Sequence, residues 1–126
     1  MSPNEWPLSG AVVLVVEDEL VIADDIAEII VCAGGKVLGP VPTVGSALKL
    51  IERERPDLVT LDINLKSEIA APIRSRLLEL KVSFIVVTGY SNASLPGGAP
   101  HIVKPYESDT LVIALAELWS FRKSED

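Results

Sequence analysis

The sequence predicts an α/β fold in which a parallel sheet lies between layers of helices. Apolar runs of strand length end in polar residues, and most of them are followed by segments whose apolar residues recur at helical spacing. Strands that alternate with helices imply a parallel sheet with right-handed crossover connections. The 126 residues suit one domain with a single hydrophobic core.

Five strands are expected. The first is Ala11–Val16, and the second is Lys36–Val41, whose prolines suit the edge of a sheet. The third, Leu58–Leu61, is a continuous apolar run and is therefore expected to be buried on both faces. The fourth and fifth are Ser83–Val87 and the short His101–Val103.

Four helices are expected between and after these strands. The first is Leu20–Ala33, the second is capped by Thr43 or Ser46, the third begins near residue 70, and Ser108 caps the last. We expect a polar loop from residue 64 to residue 68. The residues expected to face the core are Ile22, Ile26, Ile29, Ile30, Cys32, Ala33, Val44, Ala47, Leu48, Ile51, Ile73, Leu77, Leu80, Leu111, Ala114, Leu115 and Leu118.

Composition and charge argue against several classes of protein. Hydrophobic residues make up 48% and charged residues 23%, as in globular proteins. The net charge of -7 argues against a nucleic-acid-binding surface. No apolar run approaches the roughly 20 residues that span a bilayer, and the first residues do not resemble a secretory signal. The single cysteine excludes an internal disulfide. We expect a cytoplasmic protein that binds neither nucleic acid nor a membrane.

Polar side chains stand at the carboxyl ends of four predicted strands. The first strand runs into Glu17 and Asp18, the third into Asp62, the fourth into Thr88 and the fifth into Lys104. Ligands of open α/β sheets bind at this edge. Alone, Asp62 could be a loop or helix-cap residue, and the first two acids could simply favour the start of a helix. Adjacent carboxylates, however, repel one another and favour a hard cation such as Mg²⁺.

Four motifs in sequence resemble the receiver domain of two-component response regulators. The resemblance covers nearly the whole chain and implies a flavodoxin-like, doubly wound, five-stranded parallel sheet of order 2-1-3-4-5. That order sets the first and third strands side by side, so their acids would converge. The motifs are Val-Val-Glu17-Asp18-Glu19, Leu-Asp62-Ile-Asn64, Val-Val-Thr88-Gly89-Tyr90 and Val-Lys104-Pro105.

The resemblance implies a role for each residue of the acidic site. Asp62 would accept a phosphoryl group from a histidine kinase or a histidine phosphotransfer protein. Asp18 would bind Mg²⁺ directly and Glu17 through water, with Asp62 and the backbone carbonyl of Asn64 as further ligands.

The resemblance also implies phosphoryl contacts and a switch. Thr88 would hydrogen-bond the phosphoryl group and Lys104 would pair with it. The switch candidates are Thr88, Tyr90 and His101, which stands where the family usually has an aromatic residue. A lone histidine on a short strand is more often structural, and the tyrosine could be a packing residue.

The segment Gly89–Pro100 has no helical period, so we expect the family's fourth helix to be short or absent. Phe84 to Tyr90, together with Lys104-Pro105-Tyr106, resembles the Phe-x-x-x-Thr-Gly-Tyr subclass of receivers, whose members pair with histidine kinases of the HWE type. Within the chain we expect an N-terminal arm at 1–10 with Trp6 folded back on the body, a receiver domain at 11–122 and a tail at 123–126.

The expected function is that of a single-domain receiver, not an enzyme. It would accept a phosphoryl group on Asp62 and act as a phosphorelay intermediate, a sink or a phospho-switched module that binds a downstream protein. One alternative is an interaction module that ignores phosphorylation. Another is an aspartyl phosphohydrolase, but such enzymes usually carry a second acid where this chain has Asn64.

Overall fold

The computed structural model describes residues 6–62, 64–65, 68–88, 101–103 and 108–124. Predicted strands and helices within these residues are present, and the predicted ends coincide with the observed ones or differ by one position. In chain order the elements are β1 (Val12–Val16), α1 (Leu20–Cys32), β2 (Lys36–Val41), α2 (Val44–Glu54), β3 (Leu58–Asp62), β4 (Asn64–Leu65), β5 (Glu68–Ile69), α3 (Ala71–Leu80), β6 (Ser83–Thr88), β7 (His101–Val103) and α4 (Ser108–Ser124).

The main sheet is parallel throughout. Strands β2, β1, β3 and β6 lie side by side in that order, which confirms the predicted order of the first four sheet strands. The three-residue β7 pairs with the outer edge of β6, where His101 lies opposite Val86. β3 is therefore an interior strand, and all five of its residues are buried.

A second, two-stranded sheet corrects the sequence prediction. The polar loop expected from residue 64 to residue 68 contains β4 and β5, which pair antiparallel with Asn64 opposite Ile69. Only two residues separate these strands in the sequence. Strands of two residues are too short to show an alternating pattern, so no sequence pattern could predict them.

The core has two layers because side chains alternate across each strand. In β1, Val13 and Val15 face α1 and α4, whereas Leu14 and Val16 face α2 and α3. The predicted helical stripes agree with this arrangement except at one position. Cys32 is exposed, so its assignment to the core was wrong. It lies in the last turn of α1, where the adjacent Val31 is also exposed.

The start of α2 and the end of α1 are each determined by a local feature of the sequence. Thr43 caps α2: its hydroxyl accepts a hydrogen bond from the backbone N–H of Ser46 at 3.1 Å. Ser46 in turn accepts one from the backbone N–H of Thr43 at 3.3 Å. After α1, Gly34 adopts a φ of +95°, a left-handed conformation that favours glycine.

The end of the N-terminal arm packs against the domain. Leu8 is completely buried, and its backbone N–H donates to the carbonyl of Ala33 at 2.9 Å. Trp6 lies against Gly34, and the indole N–H of Trp119 donates to the carbonyl of Ser9 at 3.1 Å. These contacts join the arm to α1 and α4.

The sequence predicts that a helix between β6 and β7 is short or absent. The residues concerned, 89–100, lie outside the described residues. Among the described helices, none combines the length and the apolar character needed to cross a membrane.

Candidate phosphoacceptor site

The parallel pairing of β1 with β3 brings the predicted acids together. Val16, the last residue of β1, lies opposite Leu61. The next residues along the two strands are Glu17 and Asp62, which consequently lie side by side at the carboxyl edge of the sheet. Asp18 follows Glu17 before α1 begins.

Three carboxylates converge at this edge. One oxygen each from Glu17, Asp18 and Asp62 lies within 4.8 Å of the other two. Glu17 is only 2% exposed and Asp62 only 6% exposed, while Asp18 is partly exposed. The backbone N–H of Glu19 donates to Oε2 of Glu17 at 3.2 Å and helps to orient that carboxylate.

The electrostatics of this cluster favour a cation. Two unit charges 4.8 Å apart repel by roughly 3 kcal/mol at an effective dielectric constant of about 20. Three ionised carboxylates in a largely buried position therefore destabilise the site unless positive charge is added. All three donors are hard oxygen ligands, as Mg²⁺ and Ca²⁺ require, and the partly exposed Asp18 leaves the site open to solvent on one side. The residues present fit a divalent cation.

The other predicted residues that the structure describes take different positions relative to this edge. Val87 in β6 pairs with Asp62, and Thr88 is the next residue and ends that strand. Asn64, in β4, lies two positions beyond Asp62. His101 is the first residue of β7 and lies opposite Val86. The next pair along these strands is Ile102 and Val87.

Lys104 and Tyr90 lie outside the described residues. Their predicted roles, pairing with the phosphoryl group and switching, remain predictions. In the sequence, Lys104 directly follows Val103, the last residue of β7, and Tyr90 comes two residues after the end of β6.

Sequence reasoning did not identify an apolar surface next to the acids. Leu20 and Val21, the first residues of α1, are 77% and 83% exposed. Their apolar character alone could not show that they are exposed, because the next residue, Ile22, is also apolar and packs against the core. The pair directly follows Glu19 in the sequence, and its exposed apolar side chains are available for contact with another protein.

The chain is similar in sequence to two longer regulators. The transcriptional regulatory protein PdtaR of Mycobacterium tuberculosis is 29% identical over 110 residues, which cover 82% of this chain and 54% of PdtaR. The phyllosphere-induced regulator PhyR of Methylorubrum extorquens is 28% identical over 119 residues, which cover 89% of this chain and 45% of PhyR. The chain thus spans about half the length of the curated relatives it matches.

The fold is similar to that of an isolated receiver domain. The CheY-like response regulator receiver domain protein of Methanospirillum hungatei superimposes with a TM-score of 0.81 at 28% identity, over 94% of this chain and 99% of that one. No protein-family model matches the chain. The chain thus has the fold of a CheY-like receiver domain, and its sequence relatives and its three converging carboxylates support a receiver domain of a response regulator.

Proposed function

We propose that this receiver domain accepts a phosphoryl group on Asp62 from a histidine kinase or a histidine phosphotransfer protein. The observation that carries the proposal is the convergence of Glu17, Asp18 and Asp62 within 4.8 Å at the end of adjacent strands. In the proposed transfer, a carboxylate oxygen of Asp62 attacks phosphorus, the P–O bond forms, and the P–N bond to the donor histidine breaks. The domain is a phosphoacceptor rather than an enzyme with a substrate of its own.

The proposed reaction depends on Mg²⁺ held by Glu17, Asp18, Asp62 and the backbone carbonyl of Asn64. When bound, the metal supplies positive charge against the acids and the phosphoryl oxygens. The chain itself fixes the nucleophile, because β3 is buried along its whole length and pairs on both sides. Phosphoryl transfer depends mainly on positioning and charge stabilisation. Lys104 is proposed to pair with the phosphoryl group.

The proposed response to phosphorylation starts at Thr88. Its hydroxyl would bind the phosphoryl group, and its strand pairs with β7, where Thr88 lies opposite Val103 and Val86 lies opposite His101. A shift of the end of β6 would therefore reach β7 directly. Tyr90 and His101 are proposed to change position after Thr88. The altered surface would then bind a downstream protein, unless the domain acts as a relay or sink.

The exposed pair Leu20 and Val21 is the proposed contact for the phosphoryl donor. It follows Glu17, Asp18 and Glu19 directly in the sequence, and both side chains are exposed. The signature from Phe84 to Tyr90 supports a kinase of the HWE type as that donor. Such a reaction would take place in the cytoplasm.

A two-step NMR titration tests this function. Mg²⁺ is expected to shift the amide signals of Glu17, Asp18 and Asp62. Beryllofluoride, which mimics a phosphoryl group on a carboxylate, is expected to add changes at Thr88 and His101. The Asp62→Asn variant should lose the beryllofluoride response and accept no label from a phosphorylated kinase. Labelling of that variant would contradict the proposal, and no response of the wild type to either addition would favour a phosphorylation-independent interaction module.

A further inference from the structure

A crevice lies between α1 and α4, away from the acidic cluster. Its volume is about 520 Å³, within the range of about 300–1,000 Å³ that is usual for binding pockets. None of its described lining residues belongs to the proposed phosphoacceptor site. The lining residues are Trp6, Pro7, Asp25, Glu28, Ile29, Cys32, Ala33, Ser108, Asp109 and Val112.

The crevice is part of the packed structure of the domain. Its two walls are helices whose inner faces are anchored in the same core layer, through Ile26 and Ile30 in α1 and Leu111 and Leu115 in α4. The N-terminal arm contributes Trp6, which lies against Gly34 beyond the end of α1. The groove between the helices is therefore held in place by contacts on three segments.

The chemistry of the crevice combines apolar and acidic side chains on both walls. Ile29 on α1 and Val112 on α4 supply apolar surface. Asp25 and Glu28 add negative charge on the α1 side, and Asp109 adds it on the α4 side. No described residue that lines the crevice is basic. An anionic ligand would be repelled, whereas a ligand with an apolar face between positive charges would be complementary.

We propose that this crevice binds a basic amphipathic helix of a partner protein. Such a helix places an apolar stripe in a groove and is read through side chains at helical spacing. Lysine or arginine residues flanking the stripe would face Asp25 and Glu28 on one side and Asp109 on the other. The binding does not use the phosphoacceptor site, so it occurs in Asp62→Asn as in the wild type, and its outcome is separable from that of the proposed function.

The first test uses a synthetic helical peptide of leucine and lysine with one apolar face, and a scrambled peptide of the same composition. The helical peptide is expected to shift the amide signals of the crevice residues and to bind the Asp25→Lys/Glu28→Lys variant at least about tenfold more weakly. Asp24→Lys is the control: Asp24 is exposed on the same helix but does not line the crevice. Equal weakening by Asp24→Lys, or equal binding of the scrambled peptide, would overturn the proposal.

The second test blocks the crevice without changing its charge. Cys32 lines the crevice and is exposed, while the adjacent Val31 is exposed but does not line it. Cys32→Trp is expected to weaken peptide binding at least about tenfold, and Val31→Trp to leave it within about twofold of the wild type. Circular dichroism checks that both variants fold. Unchanged binding by a folded Cys32→Trp would overturn the proposal.

Discussion

At the scale of single residues, the carboxyl end of β3 combines the proposed phosphoacceptor with features that are unfavourable for stability. Asp62 is 6% exposed beside Glu17 and Asp18, although burial of like charges is unfavourable. Two positions earlier, Thr60 is buried between Val15 and Ile85 of the neighbouring strands, and its hydroxyl has no hydrogen-bond partner among the residues that the structure describes. A buried hydroxyl without a partner is also unfavourable.

Thr60→Val is expected to raise the free energy of unfolding by about 1 kcal/mol, because valine keeps the shape and removes the unpaired hydroxyl. Urea unfolding measures the change. Thr43→Val is the control of opposite sign: its hydroxyl caps α2, and its loss should cost about 1 kcal/mol. A destabilised Thr60→Val would mean that the hydroxyl has a favourable partner.

At the scale of elements, two glycines near helix ends differ in what they allow. Gly34 follows α1 with a φ of +95°, and a Cβ there would lie 2.7 Å from the Cβ of Trp6. Gly45 lies in the first turn of α2, and a Cβ there would have no neighbour within 4 Å in the described part of the chain. The end of α1 requires glycine, while the start of α2 does not.

Gly34→Ala is therefore expected to lower the free energy of unfolding by about 1–3 kcal/mol, through backbone strain and the clash with Trp6. Gly45→Ala is expected to raise it by up to about 1 kcal/mol, because alanine restricts the unfolded chain and favours a helix. Thermal unfolding of both variants compares them directly. Equal effects of the two substitutions would contradict this assignment.

A salt bridge joins α2 to α3. Arg76 donates to both carboxylate oxygens of Glu52, through Nε and through a second nitrogen at 3.1 Å. These hydrogen bonds lower the pKa of Glu52 from its ordinary value of 4.5. A carboxyl group whose pKa is lower in the folded state stabilises the fold above the ordinary pKa, and this contribution is lost as the pH falls through the lowered value.

The difference in stability between the wild type and Arg76→Gln should accordingly be constant above pH 4.5 and shrink below it. It should be small, since both side chains are partly exposed. Urea unfolding across this pH range measures it. Lys49→Gln, an exposed change on α2, should show no such trend, and a difference that grows on acidification would contradict the argument.

At the scale of the whole molecule, the sequence was sufficient to predict the elements whose apolar pattern extends over several residues. The buried strands β1 and β3 and the stripe of α1 could be predicted because each spans several residues with one period. Shorter features could not: β4 and β5 have two residues each, and Leu8 enters the core without apolar neighbours at a regular spacing. The convergence of acids followed from strand order, whereas the crevice depends on how two helices and the arm pack.

Metal binding at the acidic cluster is expected to change the stability of the whole domain. Without Mg²⁺, Asp62→Asn is expected to raise the free energy of unfolding by roughly 1–3 kcal/mol, because it removes one of three repelling charges. With Mg²⁺, the wild type should gain more stability than the variant, since the ligand binds only the folded site. Asp24→Asn on the exposed side of α1 is the control. An equal Mg²⁺ effect on wild type and Asp62→Asn would place the metal elsewhere.

The parallel pairing of β1 with β3 also has a kinetic consequence. Parallel neighbours cannot be joined by a tight turn. In this chain α1, β2 and α2 lie between β1 and β3 in the sequence, so the pairing of these strands is a long-range contact. Contacts over such separations require loop closure before any interaction compensates for it. During refolding, the ability to bind a metal should thus return late, with the centre of the sheet, and partly collapsed chains should lack it.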